Sequence, residues 1–471
     1  MKSTYIFNYY SQMSVTSLFT SVLKSEQILG SDSLSHRYHH IWHMDQPLKA
    51  LCVLLPETTQ QVSEIMKICY AQELPIVVHG GLTNLVGSTE TKGDEVVVST
   101  ERLNKIEEID IASRTMTVQA GVILENIHNA ATEESLLFPL NFGAKGSAQI
   151  GGIISTNAGG LRVLKYGMTR QLVLGLEAVT AEGTIISSMK KIIKDNSAYD
   201  LKQLFIGSEG TLGIITRAIL KLEEAPRSRN AAYIAFNEYD HVVKFLKYMD
   251  SNLAGKMSGF ELIWKNSYQQ MTSVSDAVKP PLPYDYNYYV LVEALGSDQI
   301  KDQNEFQEIL ENALENDLIL DAVMAQSPSD IEWFFRIRED VNNLVDFMKH
   351  DQHFDISLPI PLIGSYIKER YKKLALINGV EQVYAFGHVA DGNIHFMIGK
   401  ENLSIQLKKE IDHCIYGGLK DIGGSVSAEH GIGTHKKDYL ELCRTTEEIS
   451  LMRSLKTLMD PKDLLNPGKI F

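Results

Sequence analysis

Residues 387–395 read GHVADGNIH, with His388 and His395 seven positions apart and Asp391-Gly392 between them. Asp-Gly is a preferred pair for a two-residue type I′ hairpin turn. With these two residues central, Ala390 pairs with Asn393 and His388 with His395, so both histidines project from one face. Directly opposed residues bring their Cβ atoms to about 4.5–5.5 Å, close enough for two imidazoles to converge on one cation. The same spacing also describes an ordinary cross-strand histidine pair facing solvent. A metal reading needs a third donor. Residues 427–433, SAEHGIG, offer Glu429 and His430 between glycines that permit close backbone approach.

A second chemical group is arginine, whose planar fork suits bidentate carboxylate binding. Residues 332–345, EWFFRIREDVNNLV, read as a helix with Trp333, Phe334, Ile337, Val341 and Leu344 toward the core. Arg336 and Arg338 then fall on different faces. A helix arginine is most often a solvated or salt-bridged surface group, so this pattern alone selects neither.

The elements that would position these residues are mixed helix and strand. Thr58 and Thr59 precede Val62, Ile65, Met66 and Cys69 at helical spacing, which predicts a capped helix followed by the strand PIVV. Three glycine clusters lie at 79–87 (HGGLTNLVG), 143–160 (GAKGSAQIGGIISTNAGG) and 207–216 (GSEGTLGIIT). Such loops let backbone N–H groups approach a pyrophosphate. No GxGxxG follows a strand and no GxxxxGK[ST] is present, so neither a Rossmann site nor a P-loop is supported. Past Pro226 glycine thins out and strands such as AAYIAFN, YNYYVLVEA and HFDISLP alternate with helices, ending in a helix and a proline-terminated tail. The domain expectation is a leader and first helix over 1–45, a nucleotide-binding domain over 46–226, a substrate domain over 227–425 and a closing segment over 426–471.

Net charge is −14 over 471 residues, with 22% charged and 44% hydrophobic residues. That balance argues for a globular protein of several domains and against a nucleic-acid partner, which needs clustered Lys and Arg. No apolar run reaches the ~18 residues of a membrane span. The four cysteines form no CxxC pair, so a reducing compartment is expected. Residues 1–24 resemble neither a secretory signal nor a transit peptide, and Met13 is a candidate internal start. The resulting expectation is a cytoplasmic protein.

The ordered set PIVVHGGLTNLVG, IGGIISTNAGG, YGMTR and GSEGTLGIIT resembles the FAD-binding domain of the vanillyl-alcohol-oxidase superfamily. The segment DNSAYDLKQLFIGSEGTLGIIT and the closing DPKDLLNPGKIF are similar to its D-2-hydroxyglutarate and D-lactate dehydrogenase branch, over residues 40 to 471. The resemblance implies an α+β chain: a PCMH-type FAD-binding domain of two α+β subdomains, then an α+β substrate domain with an antiparallel sheet and a helical closing segment. It implies noncovalent FAD, with His79, Gly80, Gly81, Leu82, Thr83, Asn84 and Leu85 at the pyrophosphate. Ser147, Gly151, Gly152, Asn157 and Gly159 would line the flavin and ribityl chain, with Glu209, Gly213, Ile214 and Asn466 against the cofactor.

By the same resemblance His388, His395 and Glu429 ligate a divalent cation, usually zinc, and His430 is the catalytic base. Three protein ligands leave coordination positions open for a substrate. The hydroxyl of a 2-hydroxy acid, polarised by the cation, gives its proton to His430 while the C2 hydride passes to flavin N5. Arg338 takes the substrate carboxylate. Asn342 stands where a Thr is typical, His353 where a Lys binds a distal carboxylate, and Met397 where an Asn is usual. These departures weaken a hydroxyglutarate assignment and leave room for D-lactate or a more apolar D-2-hydroxy acid. Two rivals remain: a flavin subunit of a larger glycolate-oxidase-like complex, and a sugar or lactone oxidase, which needs no metal triad. The implied partners are a small 2-hydroxy acid and an acceptor such as a quinone, a cytochrome or an electron-transferring flavoprotein, with a homodimer left open.

Overall fold

The computed structural model describes residues 15–34, 37–41, 44–273 and 279–471. Met13 lies outside them. Three main sheets carry the fold. Cys52–Leu54, Val96–Ser99 and Ile76–His79 run parallel, with Ile28–Leu29 added antiparallel at one edge. The helix Thr59–Gln72 covers this sheet. Its Thr58 cap accepts from the Gln61 N–H, and Val62, Ile65, Met66 and Cys69 are buried as the spacing predicts. An antiparallel sheet follows, in the order Ile185–Ser188, Val173–Val179, Ile214–Lys221, Thr115–Gln119, Ile106–Asp110. The fold is α+β, as expected. No helix among the described residues is long and apolar enough to cross a membrane.

The third sheet positions the chemistry. Its seven antiparallel strands run Asp321–Met324, Ser228–Phe236, Tyr288–Gly296, Met257–Trp264, Val380–His388, Asn393–Lys400, His350–Ser357. Side chains alternate between faces, and both faces are covered. One buries Phe260, Leu262, Phe354, Ile356, Phe396 and Ile398 under the helices Tyr239–Leu253, Gln299–Glu315, Ile363–Leu374 and Ile405–Tyr416. The other buries Tyr233, Ile263, Tyr289, Phe386 and Met397 under Lys265–Ser273 and Pro328–Glu339. Covering both faces makes Met257–Trp264 buried throughout, so a charged residue within it must find its partner inside the protein.

Residues 464–466 return to the first sheet. Leu465 bridges Ile76 in parallel, Ile76 N–H donates to the Leu464 carbonyl (2.7 Å), and Val78 N–H donates to Asn466 Oδ1 (2.9 Å). Asn466 Nδ2 in turn donates to the Glu209 carbonyl (2.6 Å).

Candidate active site

The two-residue turn expected at Asp391-Gly392 does not form. Val389–Asp391 make a 3-10 turn and Gly392 follows at φ +86. Asp391 Oδ1 accepts from the Asn393 N–H (3.1 Å), a local bond that competes with the tighter hairpin. The ladder therefore closes earlier: His395 pairs with Phe386, and His388 pairs across its other edge with Glu261. His388 and His395 are diagonal rather than opposed. They still share a face, and their rings lie 5.5 Å apart, centre to centre.

Register then determines which other groups join them. Asp355 is opposite His395, and His353 is opposite Met397. Glu261, His388, His395, Asp355 and His353 thus occupy one face of four adjacent strands. Glu429 comes from the loop after Ser425, which bridges Ser357. The donor atoms of His388, His395 and Glu429 all lie within 4.8 Å of one another.

Two buried acids, neither visible as functional in the sequence, organise this face. Asp355 is fully buried, and its Oδ2 accepts the consecutive backbone N–H groups of Ala428 (3.1 Å), Glu429 (2.9 Å) and His430 (2.9 Å). Asn393 Nδ2 donates to its other oxygen at 2.7 Å, and Lys436 Nζ is 3.9 Å away. Burial alone would favour the protonated acid. The neighbouring imidazoles of His430 and His395, the Lys436 ammonium and the backbone donors outweigh it and hold Asp355 far below the usual carboxylate range. Glu261 is 1% exposed; its Oε1 bonds His388 Nδ1, and its Oε2 accepts from Arg338 Nε at 2.6 Å. Burial opposes its ionisation too, but Arg338 and His388 keep it at about 2. A lone acid in a strand buried on both faces was the signal available for Glu261.

The imidazoles differ. Burial acts against the charged form of His388, yet Glu261 outweighs it and lifts this ring to about 9. Burial lowers His395 well below its ordinary value and His430 to about 4, leaving both neutral with lone pairs to offer. Burial, joined by Asp355, Asp391 and Glu261, pushes Glu429 up to about 7, with His388 pulling the other way. A divalent cation would suit this donor set by taking the place of the proton on His388 and offsetting the crowded carboxylates.

Arg338 is buried on Pro328–Glu339, its guanidinium 4.6 Å from the centre of the Phe386 ring. Arg336 is exposed. The helix expected over 332–345 is interrupted: Asp340 caps it, and Asn342–Val345 is a separate turn.

His388, His395, Glu429 and His430 line a cavity of about 540 Å³, whose walls also include Arg338, Asn342, His353 and Met397. Its other walls come from the three glycine clusters, with Gly80, Gly81, Leu82, Thr83, Asn84, Leu85, Gly151, Gly152, Gly159, Glu209, Gly213 and Ile214 lining it, and from Asn466 of the closing segment. A Cβ on Gly81 would collide with the Ser147 carbonyl, so the two loops meet backbone to backbone, whereas a Cβ on Gly152 would meet open space. That combination fits an extended cofactor lying along bare backbone. Three residues expected at the cofactor are not among the residues lining this cavity. His79 is buried behind the wall with a ring nitrogen 3.0 Å from the Thr89 carbonyl. Ser147 is exposed. Asn157 caps the helix Ile150–Thr156 at φ 50, and its Oδ1 accepts from Arg170 N–H. The sequence reading does not single out Thr100, which has no local signature, nor Gln149, Ser155 and Thr156, although these three fall within the glycine cluster at 143–160.

Residues 50–188 match the FAD binding domain family, and residues 225–470 match the C-terminal domain of FAD linked oxidases. The mitochondrial D-2-hydroxyglutarate dehydrogenase of Arabidopsis thaliana is 36% identical over 96% of this chain and 81% of its own. A putative mitochondrial D-lactate dehydrogenase of Schizosaccharomyces pombe is 37% identical over 89% and 82%. A D-2-hydroxyglutarate–pyruvate transhydrogenase of Saccharomyces cerevisiae is 34% identical over 96% and 93%. Among solved structures, p-cresol methylhydroxylase shares the fold at TM-score 0.76 and 15% identity, over 99% of this chain and 96% of its own. An alkyldihydroxyacetonephosphate synthase does so at TM-score 0.74 and 17% identity, over 96% and 85%. The expectation of a cytoplasmic protein is corrected, since curated relatives are named as mitochondrial enzymes. With both family matches and relatives of this similarity along nearly its whole length, the chain belongs to the FAD-linked oxidases, in the branch of the D-2-hydroxyglutarate and D-lactate dehydrogenases.

Proposed function

We propose that this enzyme oxidises a D-2-hydroxy acid to the 2-oxo acid, using noncovalent FAD and a divalent cation, zinc by preference, held by His388, His395 and Glu429. The observation that carries this reading is the convergence of those three donors, His430 and Arg338 in the lining of one glycine-walled cavity. When bound, the flavin supplies the hydride acceptor and the cation the Lewis acidity that polarises the hydroxyl. Arg338 holds the substrate carboxylate with the terminal nitrogens that Glu261 leaves free. His430 Nδ1 is 3.8 Å from Asp355, which leaves Nε2 to take the hydroxyl proton. His79, engaged with Thr89 behind the wall, gives no support to covalent attachment. The electrons leave to a quinone, a cytochrome or an electron-transferring flavoprotein.

The test is a stereodefined panel of 2-hydroxy acids mixed anaerobically with the holoenzyme. D-isomers should bleach the flavin and L-isomers should not. Chelation should stop bleaching while FAD stays bound, and added zinc should restore it. Bleaching at full rate in protein shown to be metal-free would rule out the cation's role.

Within this class, a monocarboxylate such as D-lactate fits better than a dicarboxylate. His353 lines the cavity beside Met397, and its Nε2 already faces the Asp351 carboxylate. A second substrate carboxylate would find an apolar thioether and an imidazole already engaged by another carboxylate. His353→Lys should therefore raise kcat/KM for D-2-hydroxyglutarate relative to D-lactate by about tenfold, or ~1.4 kcal/mol. An unchanged ratio would remove His353 from the specificity argument.

A further inference from the structure

Glu261 has no part in the chemistry assigned above, yet each of its carboxylate oxygens is bonded to a residue that does. One oxygen bonds Nδ1 of His388 and the other accepts from Nε of Arg338. The first contact fixes the imidazole so that Nε2, 3.9 Å from Glu429 Oε1, is the nitrogen turned toward the other donors. The second occupies the stem nitrogen of the guanidinium and leaves its terminal fork free, while the Phe386 ring holds its plane. The carboxylate is almost completely buried, so no water competes for either bond. We propose that Glu261 is a positioning residue that sets the cation ligand His388 and the carboxylate-binding Arg338 together, so that cation affinity and substrate affinity are coupled through one side chain. This rests on the proposed function.

The coupling follows from geometry. A 2-hydroxy acid presents its hydroxyl and carboxylate on adjacent carbons, so cation and guanidinium must be held at a fixed mutual spacing. Two side chains from different elements, a strand end and a helix, would otherwise vary independently. Partners that orient a metal-bound imidazole typically change metal affinity about 10–100-fold when removed.

The test uses the holoenzyme and Glu261→Gln, which keeps the volume and one donor or acceptor per partner but removes the charge. Two measurements are made: zinc affinity by competition with a chromophoric chelator, and KM for D-lactate by anaerobic bleaching. Zinc affinity should fall about 10–100-fold, and KM should rise while kcat falls less. A second variant, Arg338→Lys, leaves every cation donor in place. It should nonetheless weaken zinc binding, and its effect should be non-additive with that of Glu261→Gln, since both act through one carboxylate. If Glu261→Gln moves only one of the two affinities, or Arg338→Lys binds zinc like wild type, the coupling is overturned. Wild-type protein that neither binds zinc nor bleaches with any 2-hydroxy acid would sink the proposed function, and this inference with it.

Discussion

His430→Ala should reduce its flavin about 10²–10⁴-fold more slowly than wild type when mixed anaerobically with substrate, the usual range for a general base, with FAD content unchanged. The position of His430 supports this size. Its backbone N–H is tied to the buried Asp355, and its ring lies nearly parallel to that of His395, 6.0 Å away. Burial holds the imidazole at about 4. A base whose pKa is depressed is unprotonated above that value, so this group causes no loss of rate as pH falls from 8 to 5. The alanine variant removes the proton acceptor and leaves the glycine loops that face the flavin untouched. Flavin reduction at the wild-type rate across this pH range would show that another group takes the proton.

Arg338→Ala should act through both substrate binding and stability. Losing a charge-assisted partner for a desolvated carboxylate costs about 2–5 kcal/mol, or roughly 30- to 4,000-fold in kcat/KM, expressed mainly as a raised KM. Arg338→Lys should recover part of this, because an ammonium cannot reproduce the planar fork. The fold suffers as well. Arg338 and Glu261 are both buried, with side chains 6% and 1% exposed. Breaking a buried pair by removing one partner costs about 3–5 kcal/mol, and His388 still faces Glu261, which favours the lower figure. Thermal unfolding of the holoenzyme should show the loss, and KM for D-lactate should show the binding defect. A variant with wild-type KM would dissociate Arg338 from the substrate.

Residue types and local spacing revealed the ingredients of the site better than its geometry. The glycine clusters, the capped helix Thr59–Gln72 and the strands of the large sheet were legible because each depends on near neighbours. The Asp391-Gly392 turn was misread because its preferred two-residue form competes with a bond from the Asp391 side chain to Asn393. That bond converts an opposed histidine pair into a diagonal one. Asp355 and Glu261 were not singled out at all. Their partners stand up to 127 positions away, and nothing local to HFDISLP or SGFELIW announces them. The single available hint was an acid within an otherwise apolar strand, which is costly unless something inside the protein answers it.

The return of residues 464–466 to the strand Ile76–His79 bears on biosynthesis. Asn466 and Val78 are 388 positions apart, and Asn466 also closes the cavity wall through Glu209. At translation rates of about 5–20 residues per second, roughly 20–80 s separate the emergence of these two segments. Throughout that interval the first sheet lacks its last bridge and the cavity lacks Asn466 from its lining. The lining of the cavity is therefore completed late, with residue 466, rather than with the glycine loops. A nascent or clipped chain ending before Leu464 would display the glycine loops without the bridge that Asn466 makes between Val78 and Glu209.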